Sequence, residues 1–531
     1  MKVKADYDVL IVGAGFAGLY MLHKMRENGF RAHIVEAGGN AGGTWYWNRY
    51  PGARCDVESM EYSYQFSKEL QQEWDWSEKY ATQPEILSYV NHVVERFDLK
   101  KDIQFNTRVQ EATYLEREQL WRVDLDNAET LHARVCVMAT GCLSSANIPE
   151  IPGFAHFNGE VYHTGHWPHE NVDFTGKRVG IIGTGSSAIQ SIPLIAEQAD
   201  HLYVFQRTPS YAVPAHNEAL TDEYRRHVKS NYEERRTAAH LTRSGMLFEV
   251  NPDNAYDVSE QERHEIYEKR WEKGGLAFLG AFNDLLVDKK ANDTAANYIR
   301  DKIRTAVQDE ETAALLTPET VVGCKRLCVD TGYYQTFNRD NVSLVDVKSA
   351  PIERITDSGL KTAKQEFDFD VLIFATGFDA MTGALMKIDI KGREGLSLAE
   401  KWAEGPRAYL GLSVSGFPNM FLVTGPGSPS VLANMMPSIE QHVNWITDCL
   451  NYMRAHGHPL IEANEQDEAN WVHHVNNIAD RTLFPSCNSW YLGANIPGKP
   501  RVFMPYLGYP TYVKKCDDVA AAGYDGFSFT A

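Results

Sequence analysis

The chain has 531 residues, 43% of them hydrophobic and 23% charged, with a formal net charge of -19. That length exceeds what a single hydrophobic core organises and points to about three domains at roughly 150 residues each. The acidic balance argues against a nucleic-acid partner, whose binding rests on cations facing phosphate, and no apolar run reaches the roughly 18 residues of a membrane helix.

The eight cysteines (Cys55, Cys136, Cys142, Cys324, Cys328, Cys449, Cys487 and Cys516) form no CxxC pair and no metal-ligand spacing. Free thiols in a reducing cytoplasm, and no metal, are therefore expected. An apolar strand beginning at Tyr7 leaves no room ahead of it for an export leader. Nothing in the sequence sets an oligomeric state.

Tyr7 to Val12 reads as a strand that empties directly into Gly13-Ala14-Gly15-Phe16-Ala17-Gly18. This is a dinucleotide fingerprint in which Gly13 makes the tight turn, Gly15 admits a pyrophosphate and Gly18 lets the next helix pack on the strand. Leu19 to Asn28 carries apolar residues at helical spacing and stops at Gly29, so the helix aims its positive end at phosphate. A second strand, Ala32 to Val35, ends at Glu36. An acid about 20 residues beyond the first glycine binds ribose hydroxyls and repels a 2'-phosphate, so this site takes FAD or NAD. The following stretch, GGTWYWNRYPGARCD (Gly42 to Asp56), is too rich in aromatics, glycine and proline for a helix or central strand. It reads as a loop wrapped around a flat ligand, with Trp45, Tyr46 and Trp47 equally readable as a buried aromatic cluster.

Val135 to Gly141 and Val371 to Asp379 are buried-strand patterns that break at Ala-Thr-Gly. Between them, Lys177 to Ile182 leads into Gly183-Thr184-Gly185-Ser186-Ser187-Ala188, the same fingerprint with alanine in its third place. The partner strand, His201 to Phe205, ends in Gln206-Arg207-Thr208, so a cation and a hydroxyl stand where the first site has Glu36. A guanidinium binds a 2'-phosphate bidentately, which assigns NADP to this second site. Pro214 to Gly323 is long and charged, with helical stretches such as Asp293 to Val307; it reads as a helical insertion that either shapes the site or only adds bulk. The expected fold is α/β, with two Rossmann-like dinucleotide-binding domains. FAD would be held by residues 1-141 and 379-531, NADP by residues 142-212 and 324-378, and residues 213-323 would form the insertion.

One further segment narrows the class. FNGEVYHTGHWP (Phe157 to Pro168) fits the pattern FxGxxxHxxxWP at Phe157, Gly159, His163, Trp167 and Pro168. Flanked by two Rossmann fingerprints, it makes the chain resemble the type I Baeyer-Villiger monooxygenases. CKRLCVDTGYY (Cys324 to Tyr334), GPGSPS (Gly425 to Ser430) and SWYLGANIPGK (Ser489 to Lys499) also look like family segments. The resemblance implies NADPH- and O2-dependent insertion of one oxygen atom beside a ketone carbonyl, giving an ester or lactone through a C4a-peroxyflavin. An N-hydroxylating or sulfoxidising flavin monooxygenase is the alternative. A flavin disulfide reductase would need a CxxxxC or CxxC beside the flavin, which the chain lacks.

By the same resemblance Arg326 is the catalytic cation, suited to the task because a guanidinium stays charged and donates no proton, and it would stabilise an anionic oxygen. Asp56 is the carboxylate that holds it, with a helix cap near Val57 as the plain alternative. Lys325 joins Arg207 and Thr208 on the 2'-phosphate, and Trp490 lies near the nicotinamide. Gly43, Thr44, Trp45, Tyr46, Trp47, Tyr62, Val109 and Met435 look like flavin contacts. Ser430, Val431 and Leu432, in a loop resembling the phenylacetone and steroid monooxygenase type, would line the ketone pocket. His163 is implied to be a linker residue between domains, and SCNSWYLGANIPGK a closing loop over the nucleotide.

Overall fold

The computed structural model describes residues 3-530. Its first sheet has eight strands, and the path through it runs Asp389–Lys391, Val109–Leu115, Leu120–Leu125, Thr130–Met138, Tyr7–Val12, Ala32–Val35 and Ile103–Gln104, with Met420–Leu422 also paired to Thr130–Met138. Tyr7–Val12 lies parallel to both of its neighbours. Its last four residues are buried, which is why they read as an unbroken apolar run: a central parallel strand is covered on both faces.

The second sheet has five parallel strands in the order Val342–Asp346, His201–Gln206, Arg178–Ile182, Val371–Phe374 and Glu160–His163. Each fingerprint follows an inner strand, Tyr7–Val12 or Arg178–Ile182, whose two neighbours connect to different parts of the chain. That is the position where open α/β sheets bind ligands, beyond the carboxyl ends of the strands.

Because the first sheet takes strands from both ends of the chain, the backbone crosses between sheets twice. The two crossings run side by side: Asn147 N donates to Gly377 O (3.0 Å), Asp379 N to Ser145 O (2.8 Å), and Ala146 pairs with Phe378. His163 stands beside them. Its Nδ1 accepts from Gly165 N (2.9 Å) and its Nε2 lies 3.4 Å from Thr376 Oγ1. Burial lowers its pKa to about 4, so the ring is neutral at physiological pH and fastens the crossing without carrying charge.

Between the parallel pair Ala212–Pro214 and Cys328–Asp330 the chain forms the helices Asp222–Ser230, Tyr232–His240, Glu260–Lys273, Lys289–Ala306 and Glu310–Leu316. The helix expected from Asp293 starts earlier, at Lys289, because the Asp288 side chain accepts from Ala291 N and caps it. Two other expectations need correction. Gly42 to Asp56 is not wholly a loop, since Thr44–Trp47 makes one helical turn after Gly43. No helix begins at Val57, so Asp56 is not a helix cap. The first helix begins at Phe16, inside the glycine motif, with Gly15 at its N-cap. Among the described residues no helix is long and apolar enough to cross a membrane, and no group of His, Cys, Asp or Glu is placed to hold a metal ion.

The closeness of that first helix to its strand is set by Gly18, where a Cβ would sit 1.9 Å from Gly13 O. Backbone must move to admit it. At Gly29 (φ +73°) a Cβ meets nothing within 4 Å, and the cost is only the left-handed backbone, about 1 to 2 kcal/mol. Thermal unfolding of Gly18→Ala should therefore fall well below that of Gly29→Ala; equal melting temperatures would show that the helix does not need this contact.

Candidate active site

Both fingerprint helices start without a side-chain cap: Gly15 is the N-cap of Phe16–Glu27 and Gly185 that of Ser186–Gln198. Their first-turn N–H groups are thus left for an anion. A Cβ at Gly185 would meet nothing within 4 Å and one at Gly15 only Gly43, at 3.5 Å and beyond. Both loops keep the open space beside the backbone that a pyrophosphate requires.

The charge around the two loops is opposite in sign. Glu36 is buried, its Oε2 accepting from Ala14 N and its Oε1 from Gly38 N, each at 2.6 Å. Burial raises its pKa while those two N–H groups oppose the rise; an ionised carboxylate has about four acceptor positions, so two remain for ribose hydroxyls. Phe16 packs edge-on to Tyr62, and Thr107 N bonds Glu36 O, two residues before Val109, which is buried in the core of the sheet with Leu10, Val12 and Val35. At the second loop Thr184 Oγ1 donates to Thr208 O (3.0 Å) and Ser186 Oγ lies 3.3 Å from Cys328 Sγ. The Tyr50 hydroxyl donates to Gln190 Oε1 (2.8 Å), with Ser187 close beside it. Arg207 is exposed, and the Lys325 pKa is lowered first by burial and then by the Arg207 charge. Two cations that repel each other across an open loop are a donor set suited to a 2'-phosphate.

Between these loops Arg326 meets Asp56. Nε donates to Oδ2 at 3.0 Å and Nη2 to Oδ1 at 2.7 Å, a side-on bidentate pair, while Nη1 donates to Val431 O at 2.9 Å. The two side chains retain only 25% and 23% of their exposure. Burial pulls the guanidinium pKa down, but Asp56 and the Tyr491 oxygen overcome it and the net shift is upward. The cation is therefore fixed at every working pH.

The expected contacts divide into groups. Trp45 is buried and donates to the Tyr62 hydroxyl (3.1 Å). Tyr46 and Trp47 turn toward His169 and His166, with ring centroids 4.7 and 5.6 Å apart; the aromatic segment is a packed cluster that also reaches the FxGxxxHxxxWP segment. Thr44 is exposed, and Met435 opens the long Met435–His456 helix behind Asn434. Ser430 is fully buried at φ +43°, its hydroxyl on Met381 Sδ (3.5 Å), and Leu432 is half-buried. The Trp490 ring packs against Tyr491 at a tilt of 47°, with centroids 4.3 Å apart. Tyr491 itself was not foreseen: it is buried against Arg326, and burial pushes its pKa up to about 12. Its place beside Trp490 in the motif was the only signal, and residue type did not reveal which ring turns inward.

The cysteine expectation fails at one place. Cys324 and Cys487 form a disulfide, and the other six are buried free thiols. Spacing gave no hint, because 163 residues separate the partners. The bond joins the residue before Lys325 to the segment that carries Trp490, and Lys499 holds the far side of that segment through Asp379 and Ala380 O.

Residues 10-270 match a family described as pyridine nucleotide-disulphide oxidoreductase. Over nearly full length the chain is 42% identical to cyclohexanone 1,2-monooxygenase of an Acinetobacter species (99% of this chain, 97% of the relative). It is 41% identical to a Baeyer-Villiger monooxygenase of Pseudooceanicola batsensis (98% and 96%) and to phenazine N-monooxygenase of Lysobacter antibioticus (99% and 97%). Among solved structures, steroid monooxygenase bound to NADP is 52% identical with a TM-score of 0.94 (98% and 99% covered). OTEMO in complex with FAD and NADP is 39% identical with a TM-score of 0.96 (99% and 100%). A flavin- and nicotinamide-dependent oxygenase is the class that this fold and site define. The chain belongs to the Baeyer-Villiger monooxygenase family.

The disulfide is open to direct measurement. Peptide mass mapping without reductant should return one linked pair, Cys324 with Cys487, and six thiols that alkylate only after unfolding. Eight thiols that alkylate alike would contradict the pairing.

Proposed function

We propose that this chain is an NADPH- and O2-dependent flavin monooxygenase that inserts one oxygen atom beside a ketone carbonyl to give an ester or lactone. The first fingerprint, with Glu36, holds FAD; the second, with Arg207, Thr208 and Lys325, holds NADP. FAD reduced by NADPH supplies activated oxygen when bound. In this reading residues 1-141 and 379-531 form the FAD domain, residues 142-212 and 324-378 the NADP domain, and residues 213-323 the helical insertion. A cytoplasmic location belongs to the same reading, with six cysteines free and the Cys324–Cys487 disulfide the one observation against a reducing compartment.

The observation that carries it is the Arg326 guanidinium held between the two loops. Of its five N–H donors, three are committed to Asp56 and Val431; two remain, beside Tyr491, to meet a carbonyl oxygen that gains negative charge as its carbon becomes tetrahedral. A permanent cation stabilises that charge without surrendering a proton, which lysine would do more readily. Asp56 orients the fork by taking two of its bonds. Buried Ser489, Tyr491, Phe503 and Met504 close one side and keep water away. Ser430, Val431 and Leu432 border the ketone, and the Val431 carbonyl ties that border to the cation. The loop GPGSPSVLANMM and the 52% identity to the steroid enzyme favour bulky or aromatic ketones over small cyclic ones.

A second reading, oxygen transfer to nitrogen or sulfur, is favoured by the phenazine N-monooxygenase, which is as similar to this chain as the ketone enzymes. The two separate on one assay. With NADPH and 18O2, a bulky aryl ketone should give an ester that carries one 18O per NADPH consumed; label appearing only in an amine N-oxide or a sulfoxide would establish the second reading. Cofactor choice gives another outcome. Loss of one charge-assisted hydrogen bond, about 1.5 to 3 kcal/mol, should make Arg207→Ala raise the KM for NADPH at least tenfold and leave that for NADH unchanged. A parallel loss with both nucleotides would remove Arg207 from the 2'-phosphate.

A further inference from the structure

The helical insertion reaches the site at several points, and one of them is a buried cation. Arg236, on the Tyr232–His240 helix, is 7% exposed; among the described residues it makes no direct ion pair, and the Glu440 and Glu61 carboxylates act on it only through space. Its Nη1 donates to Glu61 O and its Nη2 to Ser63 Oγ, both at 2.8 Å, and its guanidinium lies over the Tyr232 ring at 5.0 Å. Nε has no partner. A charge withdrawn from water without a direct ion pair is costly, and an apolar stripe is enough to dock a surface helix. Docking alone does not account for it.

What Arg236 grips does. Glu61 and Ser63 flank Tyr62, whose hydroxyl accepts from Trp45. The Glu61 carbonyl that accepts from Arg236 also accepts from Asn434 Nδ2 (3.1 Å), and Asn434 N donates back into the insertion, to Ser244 O (2.8 Å). Asn434 directly follows the Ser430 to Ala433 loop and caps the helix that begins with Met435. The insertion returns once more, with Leu247 N on the Glu61 carboxylate (2.8 Å) and His240 Nε2 on Gln65 Oε1 (2.9 Å). One peptide carbonyl is thus shared by the insertion, the wall that carries Tyr62 and the end of the ketone loop.

We infer that Arg236 is a positioning residue: through Glu61 O and Ser63 it sets the spacing between the Tyr62 wall and the Ser430 to Leu432 loop. The inference rests on the proposed function, in which that wall faces FAD and that loop borders the ketone. It gives the insertion a task at the site beyond bulk. The second fingerprint lies outside this network, so nucleotide binding is independent of it, and Arg326 touches it only through Val431 O.

Arg236→Met keeps the stem and removes both bonds; Arg236→Lys keeps the charge but replaces the two-pronged fork by a single ammonium; Ser63→Ala removes a single acceptor with little risk to folding. In the flavin-loaded protein, Arg236→Met should change the visible circular dichroism of the flavin and raise the ketone KM by about 2-fold to 30-fold. It should divert a larger share of NADPH oxidation to hydrogen peroxide and leave the KM for NADPH unchanged. Ser63→Ala should shift the same readouts in the same direction by less, and Arg236→Lys should recover part of the loss. A lowered melting temperature with flavin dichroism, ketone KM and peroxide share as in the parent would overturn the inference, as would an unchanged Ser63→Ala protein. A parent chain that binds no flavin at all would instead remove the reading beneath it.

Discussion

A guanidinium and a carboxylate, each largely withdrawn from water, meet where two sheets built from different parts of the chain come together. Neither charge is tolerable there alone, since burial disfavours the ionised form of each. Arg326 follows the helical insertion and Asp56 ends the aromatic segment beyond the first fingerprint, 270 residues away in sequence. The side-on geometry fixes the plane of the guanidinium, and the third bond, to Val431 O, fixes the Ser430 to Leu432 loop to the same plane. Relative placement of both loops, the pocket border and the cation is therefore one problem with one solution.

The two fingerprints show how one backbone device serves two ligands. Strand, glycine turn and uncapped helix are the same in both, and they supply what any pyrophosphate needs. In the proposed reading, selection comes from the residue at the end of the next strand: buried Glu36 in one sheet, exposed Arg207 in the other. The segment around Trp490 is fastened on both sides, by the Cys324–Cys487 disulfide and by Lys499 at the crossing.

Local features were legible in the sequence to the degree that they rest on local physics. Tyr7–Val12, Ala32–Val35 and the glycine turns follow from periodicity and from steric demands that only glycine meets. The Asp288 cap moved a helix start, and one helical turn at Thr44–Trp47 fits within a segment that composition marks as loop. What sequence could not disclose are contacts across long separations between residue types with several ordinary uses. Cys324 and Cys487 looked like two thiols among eight, Tyr491 like one more aromatic, and Arg236 like one charge in a charged helix. Arg326, Asp56, Tyr62 and Met435 were named through family resemblance, since no spacing rule singles them out. The Asp56–Arg326 geometry is what gives two of them a physical partner.

The central claim, that Asp56 acts on the reaction only by holding Arg326, is tested most directly by a double-mutant cycle on ester formation with flavin content measured in parallel. Removal of the cation in Arg326→Ala should cost about 10^2 to 10^3 in rate, Asp56→Ala should cost part of that, and the double variant should lose no more than Arg326→Ala alone. Losses that multiply, in proteins that keep their flavin, would mean that the two residues work independently and would contradict the account.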